Sequence, residues 1–85
     1  MKNLTIYIGI EFNEEPYPVL FKKLEGLSLT KKELIAKGKE LSKGSYKLLY
    51  LAGFDKTGNI KVAHDFQNGD WCGELSLEYL KYIVL

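Results

Sequence analysis

The stretch Leu29-Thr30-Lys31-Lys32-Glu33-Leu34-Ile35-Ala36-Lys37-Gly38-Lys39-Glu40-Leu41-Ser42-Lys43-Gly44 decides the fold, because it carries the clearest set of helix signals in the chain. Thr30 and Glu33 have the spacing of a capping box and Leu29 and Leu34 that of a hydrophobic staple, so a helix is expected to begin at Lys31. Leu34, Ile35, Gly38 and Leu41 fall on one face. Gly44 then supplies a stop, with Lys43 beside the negative end of the helix dipole. Gly38 inside the helix costs about 1 kcal/mol relative to alanine, a cost that close packing against a sheet would justify.

Both sides of this helix read as strands. Leu4, Ile6, Ile8, Ile10 and Phe12 alternate with Asn3, Thr5, Tyr7, Gly9 and Glu11, the period of a strand with one buried face. Asn13 to Pro18 holds two prolines and two adjacent acids, so it is a loop. Val19 to Leu24 reads as a second strand, antiparallel to the first, with Lys22 and Lys23 marking an edge or solvated position.

Beyond the helix, Ser45 to Phe54 and Asn59 to Gln67 form a hairpin around Asp55-Lys56-Thr57-Gly58, a type I turn with a bulge residue at Gly58. With Asp55 opposite Asn59, the expected pairs are Phe54 with Ile60, Ala52 with Val62, Tyr50 with His64 and Leu48 with Phe66, all on the core face. The reverse face carries Leu49, Leu51, Gly53 and Ala63 among charges and is too apolar to lie bare in water. Asn68-Gly69-Asp70 is a tight turn. Gly73 to Leu85 reads as a helix started by Ser76, with Tyr82 to Leu85 also compatible with a strand.

The expected architecture is therefore a single α+β domain over residues 1–85. It has a mainly antiparallel sheet of four or five strands with one helix on a face, in the order β-β-α-β-β-α, the last element being the one that also reads as β. At 85 residues the chain buries only roughly 60% of its unfolded surface, so the core is thin. Its 46% hydrophobic and 27% charged content is that of an ordinary globular domain and not of a disordered chain.

All 12 basic residues are lysine. Without arginine, sequence-specific DNA readout loses its commonest tool; a coding sequence rich in A and T, as in a low-GC bacterium or its phages and plasmids, accounts for the same composition. The net charge of +1 conceals a basic centre: residues 22–47 hold eight lysines and three glutamates, and the segments before and after each sum to −2. On the helix, Lys31, Lys32, Lys39 and Lys43 occupy one sector beside the apolar stripe. That sector suits phosphate or an acidic surface, although flanking lysines are also ordinary on an amphipathic helix. Cys72 is the single cysteine, which excludes an intramolecular disulfide and favours a reducing compartment. The apolar start is too short and too soon interrupted by Glu11 for a signal peptide, and no run approaches a membrane span. The expected location is cytoplasmic, with no membrane partner.

Catalytic chemistry finds little support. A nucleophile built from Cys72 and His64 would need an orienting acceptor, and Asp65 belongs to the opposite strand face from His64. His64, Asp65, Asp70 and Cys72 lack the paired spacing of a zinc site, and no glycine pattern suits a nucleotide phosphate loop. Glu14 and Glu15 sit in a loop with no apolar pocket to raise a carboxyl pKa. No enzyme, metal or cofactor is expected.

Eleven aromatics exceed what a thin core hides. Tyr17, between two prolines, and Trp71, after a turn, are candidate anchors for another protein. The leading expectation is a non-catalytic interaction module, an inhibitor or regulator of the anti-defence or immunity type that masks a surface of a partner or pairs with a second copy of itself. The alternative is nucleic-acid or anionic-ligand binding through the helix lysines, above all Lys32, Lys39 and Lys43.

Overall fold

The alternation that starts at Leu4 forms strand β1 (Leu4–Ile10), which lies between β2 (Val19–Leu29) and β3 (Leu48–Phe54) and runs antiparallel to both. The computed structural model describes residues 3–10, 18–44 and 48–85. Because β2 and β3 both oppose β1, they are parallel to each other, and α1 (Lys31–Lys43) is the crossover that joins them. Further strands are β4 (Ile60–Gln67), antiparallel to β3, and β5 (Asp70–Glu74), antiparallel to β4. Strand β6 (Tyr82–Val84) is parallel to β2. Among the described residues the sheet thus has six strands in the order β5-β4-β3-β1-β2-β6.

The helix forms as its caps require. Glu33 N–H donates to Thr30 Oγ1 at 3.3 Å, and Thr30 N–H donates to Glu33 Oε1 at 3.0 Å, which lowers the Glu33 pKa. Leu34 is fully buried against Ile6, Leu49, Leu51 and Phe66 of the sheet. Gly38 is there because Phe66 needs its place: a Cβ would stand 2.2 Å from the ring. The same face holds Ser42, whose hydroxyl accepts the Gly69 N–H at 2.8 Å and ties the helix to the β4–β5 turn.

Three expectations are corrected. First, residues 74–85 contain no helix: the Ser76 signal yields only a turn, with Tyr79 N–H donating to the Ser76 carbonyl at 3.2 Å. Leu75, Leu77, Leu80 and Tyr82 instead pack on the second sheet face, over Phe21, Ala52, Phe54 and Ala63. Burying that face outweighs the local capping preference. The rings of Tyr7, Phe21, Phe54 and Tyr82 meet there at centroid distances of 4.4–6.3 Å. The sheet face opposite the helix is therefore covered by the chain itself.

Second, the sheet has six strands and one parallel pair, so it is mixed. Asp70–Glu74 and Tyr82–Val84 are the added strands, and β2 runs on to Leu29. Only Val19–Phe21 of β2 is covered by β6, so among the described residues Lys22 and Lys23 lie on an open edge.

Third, the hairpin register slips. The turn closes as expected, with Asp55 N–H donating to the Asn59 carbonyl at 2.9 Å and Gly58 at φ +88°. Phe54 faces Ile60, but Gly53 then faces Val62, leaving Lys61 as a bulged extra residue. Every later pair moves by one, so His64 faces Leu51 and not Tyr50, and Leu49 faces Phe66. The slip exchanges the faces: Leu49 and Leu51 lie under the helix, and Ala52 and Phe54 lie on the other side.

Candidate functional site

Leu29 at the end of β2 faces Leu4, and Phe54 at the end of β3 faces Thr5. The two strands thus end at the same edge of the sheet, and the first turn of α1 stands beside the β3–β4 turn. Between them opens a cavity of about 780 Å³. Lys31 and Lys32 reach it from the helix, and Lys56 and Lys61 reach it from the hairpin. Leu4, whose side chain is buried, supplies an apolar part of the wall, and Thr30 and Thr57 add hydroxyls.

The acid in this lining, Asp55, is turned into its own loop. Its Oδ1 accepts from the Thr57 hydroxyl at 2.6 Å and from the Thr57 and Asn59 N–H groups at 2.9 Å, and its Oδ2 lies 3.5 Å from Lys61 Nζ. These partners, the Thr57 hydroxyl first, hold its pKa at about 2. The carboxylate is therefore ionised at neutral pH but spent on the turn and on Lys61. Among the described residues, four ammonium groups against one carboxylate leave three net positive charges around the cavity. Lys31, Lys32 and Lys56 have no ion-pair partner among the described residues. The capping box already occupies the Thr30 and Glu33 amides, so the positive potential comes chiefly from the lysines.

The sequence-expected residues do not stay together. Lys32 lines the cavity, but Lys39 is seven residues further along the helix, about 10 Å, and Lys43 eleven, about 16 Å. The Lys43 stem lies over Gly69, where a Cβ would come within 2.6 Å of it. Tyr17 lies outside the described residues. Trp71, on terminal strand β5, is 46% exposed, and its indole N–H donates to His64 Nδ1 at 3.0 Å. His64 is buried, and burial lowers its pKa, with Lys31 acting in the same direction against Glu74 and the Gly73 backbone. Its Nδ1 is thus an acceptor for Trp71, while exposed Cys72 has its Sγ 3.8 Å from the Asp70 carbonyl. Among the described residues no three His, Cys, Asp or Glu side chains gather as metal ligands, and no helix is long and apolar enough to cross a membrane.

Lys56 and Lys61 were not singled out from sequence. Lys56 sits in a recognised turn, yet its approach to Lys31 and Lys32 depends on the crossover. Lys61 depends on the bulge, which sets it across Asp55. The chain matches no protein-family model, no curated protein and no solved structure.

Proposed function

We propose that this protein is a small non-catalytic binding module whose partner is anionic and is engaged at the lysine-lined cavity. The observation that carries the reading is the convergence of Lys31, Lys32, Lys56 and Lys61 from two elements on one concave site, with Asp55 engaged elsewhere. Such a chain acts by occupancy, as an inhibitor or regulator does, by holding or masking the anion. Protein contact through a spare apolar sheet face loses its motive, since the helix covers Leu49 and Leu51 and Leu75, Leu77, Leu80 and Tyr82 cover the opposite face.

A second reading, contact with another protein along β5, is favoured by Trp71, half-exposed on a terminal strand. Trp71→Ala would then abolish partner capture, while charge reversal at the cavity would spare it.

The test of the first reading compares two charge reversals by calorimetric titration with inorganic triphosphate at low salt. Two unit charges about 4 Å apart interact by about 1 kcal/mol even in water, so reversing one lysine changes its interaction by about 2 kcal/mol and should weaken binding by roughly thirtyfold. Lys32→Glu with Lys56→Glu should all but remove binding, and Lys39→Glu with Lys43→Glu should change it little. Equal losses, or the reverse order, would refute the reading.

A further inference from the structure

The shape and wall of the cavity say more about the anion than its charge alone. Resting on the reading above, we propose that the cavity takes a phosphorylated small molecule of about mononucleotide size, with phosphates among the lysine ammonium groups and an apolar body against Leu4 and the lysine stems.

Volume is the first reason. About 780 Å³ falls inside the range of roughly 300–1,000 Å³ typical of small-ligand pockets, and it is more than a lone phosphate fills. Wall chemistry is the second. Lysine carries its charge on a long methylene stem, so a cavity lined by Leu4 and four lysines offers carbon along its sides and ammonium groups at their tips. That pairing suits a ligand with one polar, multiply charged end and one flat or apolar end. The Thr30 oxygen accepts the Glu33 N–H and keeps its own proton to donate to a phosphate oxygen.

Charge distribution is the third reason, and it argues against a length of nucleic acid. A strand needs a basic track, and the remaining sector lysines, Lys39 and Lys43, do not line the cavity. The whole chain carries only +1, with acidic segments on either side of its basic centre. Four of the twelve lysines thus meet at one concavity, and Lys39 and Lys43 do not extend it into a track.

The experiment titrates the full chain with ATP, inorganic triphosphate and a short oligothymidylate in separate low-salt calorimetric runs. ATP should bind at one site about tenfold more tightly than triphosphate, because only ATP has a body for the apolar wall to hold. Lys32→Gln and Lys56→Gln, whose folding is checked by circular dichroism, should weaken both ligands in parallel. Triphosphate binding as tightly as ATP, or oligothymidylate binding more tightly than both, would overturn the small-molecule assignment and leave the anionic reading intact. Absence of lysine-dependent binding by all of these probes would overturn both.

Discussion

Replacing Gly38 with alanine sets two effects of opposite sign against each other. In an unpacked helix alanine is favoured over glycine by about 1 kcal/mol. Here the tip of the fully buried Phe66 ring points at Gly38, and an added Cβ would stand 2.2, 2.3 and 2.4 Å from three ring carbons. Ordinary contact begins at 3.4 Å, so helix and ring must part by about 1.2 Å. Phe66 cannot swing away cheaply, because it is packed in the same cluster as Leu34, Leu49 and Val62. Overpacking of a filled core costs about 1–3 kcal/mol, and three close carbons argue for the upper end. Subtracting the helix preference leaves a net loss of about 2 kcal/mol. In a domain of this size that lowers the melting temperature by roughly 10 °C. Urea unfolding followed by circular dichroism reads it directly, and the same change in a Phe66→Leu background should cost at least about 1 kcal/mol less. A Gly38→Ala protein more stable than the parent, or one equally destabilised with and without the Phe66 ring, would refute the packing argument.

Other outcomes follow from single contacts. Ser42→Ala leaves the buried Gly69 N–H without its acceptor and should cost about 1–3 kcal/mol in denaturant unfolding; a neutral result would show that water replaces the hydroxyl. Burial holds the folded His64 below its ordinary 6.5, so the unfolded chain takes up a proton that the folded chain refuses. Stability from this group is complete above pH 6.5 and declines as the pH falls through the lower folded value, and His64→Gln should flatten that decline. Asp55 adds a separate loss only as the pH falls from 3.8 towards 2, where it takes up its proton. Leu80→Ser removes part of the cover of the second sheet face, so binding of a hydrophobic dye should rise and stability should fall by about 1–2 kcal/mol.

Features written in short stretches of sequence were legible. The Thr30–Glu33 capping box, the Asp55–Gly58 turn and the Asn68–Gly69 turn each depend on a few adjacent residues, and each forms. The reason for Gly38 was also readable as a need for close approach, though not the identity of Phe66 as its cause. The face exchange in the hairpin was not legible, because one bulged residue, Lys61, reverses all later pairs without leaving a local signal. For the last segment, local spacing favoured a helix. What decided it was an apolar face assembled from β1, β2, β3 and β4, which only the folded sheet presents. The candidate site was half visible for the same reason. Lys31 and Lys32 belong to the helix pattern, whereas Lys56 and Lys61 join them through a crossover that brings two strand ends to one edge.

The most direct measurement of the central claim is amide chemical-shift mapping of the wild-type chain titrated with inorganic triphosphate at low salt. Saturable shifts confined to residues 3–4, 30–32 and 55–61, the segments that surround the cavity, are the expected result. Shifts centred on Lys39 and Lys43 or on β5, or no saturable shifts at all, would contradict it.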